Sequence, residues 1–299
     1  GLQHTNALTA SFLKNFLGAV NAQGKGVVQI KYIGGQDVVP PRKAAKAVKR
    51  GQFDILHCPT SYYLGMVPEG YGLLAANQSV KTLHKNGGWE IMLEIYAEKA
   101  GARLIAWGES GTQYNMYLMF KPRVDKHGVP NLTGVKMRAT GTYRPLFKAL
   151  GASTINMKSS EIYTGIQRGT VSGFGWPDVA IVPLGLHKLV KYRVTPAFYH
   201  TNTVTTMNLL SYYGLPKAAR SVIDKVAVEY EATSLKFMET QRKSEEKILH
   251  DAGVKDFPLT GKAASRYLNI AHGEIWKQLK KRSPDYHDKL RAHLYIPGS

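Results

Sequence analysis

The chain has 299 residues, 43% of them hydrophobic and 20% charged, so it can bury a large core in two lobes and is too ordinary in composition to be disordered. Its 40 Lys and Arg exceed its 21 Asp and Glu by 19, but the charge is spread along the whole chain, which argues against nucleic acid and for a general attraction of anions. No apolar run approaches the roughly 20 residues that span a bilayer, and the lone Cys58 excludes an internal disulfide and cysteine-rich metal sites.

Thr9 to Ala22 reads as an amphipathic helix with Phe12, Leu13, Phe16, Leu17 and Val20 on one side. Val27–Tyr32 reads as a strand and Pro40–Arg50 as a short basic helix closed by Gly51. Arg42, Lys43, Lys46, Lys49 and Arg50 form its solvated face, and Ala44, Ala45, Ala47 and Val48 its buried side. The next strand, Phe53–Cys58, ends in Pro59-Thr60-Ser61-Tyr62-Tyr63, where Tyr62 and Tyr63 either line a cleft or pack in the interior. Gly70–Asn77 is irregular, Gly88–Ala100 a helix, and Arg103–Trp107 and Tyr114–Phe120 are strands.

Residues 132–178 carry the most organised pattern. Leu132-Thr133-Gly134 is a turn, and Val135-Lys136-Met137-Arg138 alternates as a half-buried strand does, which sets Arg138 at a strand end beside Thr140-Gly141-Thr142. A short helix, Pro145–Leu150, stops at Gly151, and Ser153–Met157 is a second strand. Ser159-Ser160-Glu161 starts a helix with Ser at the N-cap, and Val171–Trp176 is a third strand running into a broken loop. This is an α/β lobe whose strand ends carry the site. Beyond it lie an edge element in Lys188–Thr195, a strand over Thr201–Leu210, a long helix from Pro216 to about His250, a strand at Lys255–Leu259, and terminal helices from Gly261 to Leu294.

Catalytic constellations are scarce. There is no His-Glu-x-x-His and no phosphate-cradling loop ending in Lys-Ser/Thr, and the ten His residues show no metal-ligand spacing. Gly108-Glu109-Ser110-Gly111-Thr112 lacks the final Gly of a nucleophile elbow and reads as a plain turn. The sequence offers recognition groups, with no enzyme chemistry and no cofactor.

Four segments carry a resemblance: Leu132–Arg138, Leu150-Gly151-Ala152, Glu161-Ile162-Tyr163-Thr164-Gly165-Ile166-Gln167 and Gly169-Thr170-Val171-Ser172-Gly173. In this order they are similar to the motifs of the solute-binding proteins of TRAP transporters, the DctP family. Gln52-Phe53-Asp54-Ile55, Leu215-Pro216 before a long helix, and Ala252-Gly253-Val254 before a short strand extend the likeness over nearly the whole chain. The resemblance implies a two-lobed α/β fold, each lobe a β-sheet flanked by helices, with one long helix spanning both. Lobe I would comprise residues 1–118 and 207–248 and lobe II residues 119–206 and 249–299, with hinge crossings near 115–122 and 200–208.

By the same resemblance the protein captures a small organic acid in the periplasm and delivers it to TRAP permease subunits, without itself spanning the membrane, its leader removed ahead of Gly1. Arg138 is then the residue that pairs with the substrate carboxylate, and its rigid fork suits that task. Departures are informative. Ser172 replaces the family's Asp, and Trp176 aligns where Asn often serves the ligand, which implies a ring face for an apolar or aromatic monocarboxylate body. Members that bind 2-oxo acids through a metal ion have Glu before that Trp, where this chain has Gly175, so no metal is expected. The family's opening strand is absent or reduced to Gly1-Leu2-Gln3. Supporting groups expected from element ends are Tyr62 and Tyr63, Gln113 or Tyr114 near the hinge, and Thr203 or Thr205 on the returning strand. An enzyme built on the same scaffold is the alternative reading.

Overall fold

The computed structural model describes residues 6–296, and among them the strands in chain order are β1 (Ile55–Pro59), β2 (Ala102–Ala106), β3 (Gln113–Leu118), β4 (Lys136–Arg138), β5 (Ser153–Ile155), β6 (Gly173–Pro177), β7 (Tyr192–His200), β8 (Thr203–Asn208) and β9 (Lys255–Pro258). They form a three-stranded sheet, β1-β8-β2, and a six-stranded sheet, β5-β4-β6-β3-β7-β9, one for each lobe. The first sheet is antiparallel throughout. In the second, β4 pairs in parallel with both β5 and β6, and that parallel unit is the strand-helix-strand-helix-strand pattern legible between 132 and 178. The helices Arg144–Ala149 and Ile162–Gln167 make its crossovers.

The chain passes between the sheets at 107–112, from β2 to β3, and at 201–202, from β7 to β8. Sheet membership therefore corrects the expected division: β3 belongs to lobe II, and the first crossing precedes 115–122. The terminal helices also depart from it, since Pro284–Leu294 packs on lobe I helices Gly70–Leu74, Val80–Asn86 and Gly88–Ile95. An apolar helix face specifies that something covers it, and it does not specify which lobe.

The long helix Lys217–Asp251 runs 35 residues and joins the two cores. Its Ile223, Val226, Ala227 and Tyr230 pack with Phe12, Phe16 and Val20 in lobe I, while its Leu249 packs with Tyr117, Ile162 and Phe174 in lobe II. Among the described residues no helix is long and apolar enough to cross a membrane.

Two local expectations are revised. Residues 28–34 take no regular structure and join no sheet: the Asn21 side chain takes both backbone groups of Ile30, donating to its carbonyl at 2.9 Å and accepting from its N–H at 2.6 Å. This segment and β1 both line a cavity of about 580 Å³ floored by Phe12, Met207 and Ile223. Gly1-Leu2-Gln3, invoked as a remnant strand, lie outside the described residues. Near the second helix of lobe II, Lys158 and not Ser159 holds the N-cap position, and Glu161 Oε2 accepts from the Lys158 N–H at 3.0 Å.

The Gly108–Thr112 turn is a crossing between lobes and not a nucleophile elbow. Glu109 stands in the left-handed region (φ 54°), fully buried, where it accepts from the Tyr230 hydroxyl at 2.6 Å. His57 Nε2 lies 3.5 Å from the other Glu109 oxygen. An ion pair would raise the histidine and lower the acid; burial does the opposite to both, taking His57 down to about 3 and Glu109 up to about 8. The pair is neutral at pH 7. The folded protein thus keeps a Glu109 proton that the unfolded chain releases above 4.5, and it refuses a His57 proton that the unfolded chain takes up below 6.5; the two slopes oppose each other up to 6.5, and stability falls as pH rises from there towards 8, by up to about 1.4 kcal/mol per unit. Glu109→Gln retains an acceptor for Tyr230 and is expected to flatten that part of the melting-temperature profile. Superimposable wild-type and variant profiles between pH 5 and 8 would show that Glu109 ionises as it does in water.

Candidate functional site

Three neighbouring strands of lobe II converge on one arginine. Arg138 ends β4, Trp176 lies on β6 and Tyr114 on β3, and the sheet order β4-β6-β3 places them side by side. Glycine and a short loop shape the surroundings. Gly175 faces Tyr143, Phe198 and Phe147, whose ring carbons would stand 3.0, 3.1 and 3.2 Å from any Cβ there. The rings fill the space because residue 175 has no side chain.

Arg138 is 4% exposed, and its Nε and Nη2 donate to the Met157 carbonyl at 3.1 and 3.0 Å. Its third nitrogen, Nη1, is buried with no hydrogen-bond partner. The Trp176 ring covers the guanidinium at 5.5 Å, and Trp176 Nε1 donates to the Ala180 carbonyl at 3.2 Å, which fixes the ring. Burial pulls the Arg138 pKa below the ordinary range, and the neutral phenols of Tyr143 and, from the first lobe, Tyr62 lie near it.

Arg193 shows what a buried arginine normally requires. It is 7% exposed, and it is held by Asp256 through two contacts of 2.6 and 2.9 Å and by Glu246 at 2.7 Å. These bonds raise its pKa above the ordinary value despite burial. Arg138 makes no ion pair among the described residues, so its charge is desolvated and uncompensated. Such a group is costly unless an anion reaches it.

The expected supporting residues divide. Tyr62 and Tyr114 belong to the cluster: Tyr114 packs 5.4 Å from Tyr143, and burial pushes its hydroxyl up to about 12. Gln113 lies at the hinge, where its N–H donates to Asp178 Oδ1 at 3.2 Å and its carbonyl accepts from the Asp178 N–H at 2.8 Å. Tyr63 is in the lobe I core beside Tyr96 and Cys58. Thr203 and Thr205 are fully buried in the first sheet, the former bonded to the Thr201 hydroxyl at 2.8 Å and the latter to His57 Nδ1 at 3.1 Å. Among the described residues nothing brings Gln113, Tyr63, Thr203 or Thr205 to Arg138. Sequence reasoning missed Tyr143, although it adjoins the Thr140-Gly141-Thr142 opening already singled out, and it missed the Met157 carbonyl, for which no side-chain signal exists.

A cation has no evident place here. Among the described residues the one group of carboxylate and histidine atoms close enough to share an ion is Glu246, His250 and Asp256, beside β9, four strands from β4 and already engaged with Arg193. The titratable groups that act on Arg138 are the Tyr62 and Tyr143 phenols, which do not suit a metal.

Comparison with known proteins finds likenesses of family and fold. The family model described as bacterial extracellular solute-binding protein, family 7 (DctP), matches residues 3–281. A monocarboxylate 2-oxoacid-binding periplasmic protein of Nostoc sp. is 26% identical over 209 residues, 67% of this chain and 56% of the relative, so the chain spans little over half of that protein's length. A TRAP periplasmic solute-binding protein from Rhodoferax ferrireducens, solved with malonate, has a TM-score of 0.80 at 21% identity, covering 98% of this chain and 94% of its own. A TRAP solute-binding protein from Bordetella bronchiseptica, solved with calcium and picolinate, has a TM-score of 0.77 at 19% identity, covering 96% and 88%.

Proposed function

The chain belongs to the bacterial extracellular solute-binding proteins of family 7, and we propose that it captures a small monocarboxylate between its lobes through Arg138, in the periplasm, and hands it to the membrane subunits of a TRAP transporter. Members of this family bind solutes and are not enzymes. The observation that carries the ligand class is the buried guanidinium with a free Nη1 and no carboxylate partner. An incoming carboxylate supplies the missing counter-charge and takes the free donor. Trp176, locked over the guanidinium, offers a face to the acid's apolar body. The relatives support an organic acid in general, through a 2-oxoacid, malonate and picolinate. The calcium recorded with picolinate is not carried over, because the residues around Arg138 do not fit a cation.

Lobe I reaches the site through Tyr62, so binding is expected to draw the lobes together about the crossings at 107–112 and 201–202. The net charge of +19 adds a long-range attraction for anions. A thermal-shift screen of carboxylic acids, each paired with its primary amide, tests the reading. Acids are expected to raise the melting temperature by mass action and their amides to leave it unchanged. Equal shifts from acid and amide would remove the carboxylate from the recognition.

A further inference from the structure

The two crossings between the lobes are tied to each other and to a histidine of lobe I. Trp107, the first residue of the crossing 107–112, is buried, and its indole Nε1 donates to the carbonyl of Thr201, on the return crossing, at 3.0 Å. The Thr201 N–H in turn donates to the Thr112 carbonyl at 2.9 Å. The long helix holds the first crossing from behind: Glu231 Oε1 accepts from the Trp107 N–H at 3.1 Å, and the Ser234 hydroxyl accepts from the Glu109 N–H at 3.0 Å. Glu231 is 5% exposed, and its second oxygen meets His84 Nε2 at 2.8 Å. One carboxylate thus has a fixed partner, the N–H of the crossing, and a partner that titrates.

His84 is half-buried on the helix Val80–Asn86, its ring 4.4 Å from that of Trp89. The bond to Glu231 and the nearby charge of Glu90, on the helix Gly88–Ile95, raise its pKa above the ordinary 6.5 against the pull of burial. The other charged or titratable groups around it are Lys81 and Lys85, exposed on its own helix, and His293, which the terminal helix brings against Gly87 and Gly88. On the long helix Tyr230, beside Glu231, turns to Glu109 and through it to His57. Below 6.5 the buried Glu231 carboxylate has its counter-charge. As pH rises through the raised value that charge leaves, and Glu231 keeps only a neutral imidazole and one backbone N–H.

From this chain of contacts we propose that His84 and Glu231 form a proton-operated latch on the interlobe crossings: the charged pair holds Trp107, and through it Thr201, and loss of the proton frees both crossings to move. For ligand traffic the latch rests on the solute-capture reading above. Lobe movement is slowed while His84 is charged, and the acid enters and leaves faster as pH rises.

Hydrogen exchange on the ligand-free full chain tests the latch without any acid. Protection of the Trp107 and Thr201 amides, corrected for the intrinsic pH dependence of exchange, is expected to be about fivefold lower at about pH 8.5 than at about pH 6. His84→Gln keeps a donor but cannot titrate, and is expected to lose that difference. Glu109→Gln removes the other titrating carboxyl of the crossing and is expected to keep it. Trp107→Phe, without the indole N–H, is expected to confine the difference to the first crossing. Protection that does not change with pH in the wild type, or a change that survives His84→Gln or vanishes in Glu109→Gln, overturns the latch. Stopped-flow fluorescence with the acid that the thermal-shift screen ranks first, ionised throughout this range, reads the consequence for binding. The binding phase is expected to be about fivefold faster at the higher pH in the wild type and to lose this dependence in His84→Gln. Equal dependence in the two proteins overturns the link to ligand traffic. Failure of every acid in the screen to bind overturns the capture reading, and the exchange measurement still decides the latch.

Discussion

Arg138→Ala is expected to weaken acid binding by about 30-fold or more while leaving the ligand-free protein no less stable by more than about 1 kcal/mol. The first half follows from the energetics of charge-assisted bonds: removing one member of a buried, hydrogen-bonded charge pair costs about 2–5 kcal/mol, or roughly 30- to several-thousand-fold in affinity. The second half follows from the ligand-free environment. There Arg138 is 4% exposed, lacks a counter-ion and leaves Nη1 without a partner, so deleting the charge relieves a desolvation cost that offsets the two bonds lost to Met157. Arg138→Lys keeps the charge and loses the fork, and should recover part of the affinity, about tenfold below the wild type. Calorimetric titration beside urea unfolding of ligand-free protein separates the two halves. A loss of several kcal/mol in ligand-free stability, with affinity little changed, would make Arg138 a structural residue.

The second large effect is expected at Glu245, on the long helix. It is 8% exposed and accepts three backbone N–H groups from the loop after β6: Ala180 at 2.6 Å, Ile181 at 3.0 Å and Val182 at 3.1 Å. Ala180 occupies the left-handed region (φ 64°), and its carbonyl is the group that holds Trp176 Nε1. One carboxylate therefore pins the helix to lobe II, stabilises a strained residue and, through it, sets the ring over Arg138. Glu245→Ala leaves two buried donors and a half-buried third without an acceptor and is expected to cost about 3 kcal/mol or more. Acid affinity is expected to fall by about tenfold, because the Trp176 ring loses its anchor. Glu245→Gln, which keeps one acceptor oxygen, should lie between. Urea unfolding and titration with the best acid from the screen read both effects. An alanine variant of wild-type stability would show that the loop is held by its other contacts.

These residues mark what can be read from a sequence alone. Periodicity located the elements that have a buried face: the helix at 162–167, the strands β4 and β6, and the long helix all appear close to their expected places. The ordered motifs identified the family and picked out Arg138 and Trp176, because a guanidinium and an indole at strand ends have few interchangeable roles. Elsewhere the same local chemistry fits two places. Tyr62 and Tyr63 are adjacent and alike, yet one reaches Arg138 and the other joins the lobe I core. Thr203 and Thr205 sit near the hinge in sequence, but their strand pairs with β1 and β2, and their hydroxyls are taken up within that sheet. Residues 28–34 have the composition of a strand without the backbone partner that would make them one.

Sequence by itself determined most of the element types and the family, and it singled out the proposed anchor, since each depends on residue identity within one short stretch. The tertiary structure alone decided which lobe each terminal helix covers, which tyrosines surround Arg138, and that among the described residues Arg138 has no counter-ion while Arg193 has two. Those outcomes are properties of neighbours distant in the chain. Burial, and the presence or absence of an opposite charge within reach, comes into being only when the strands are laid side by side.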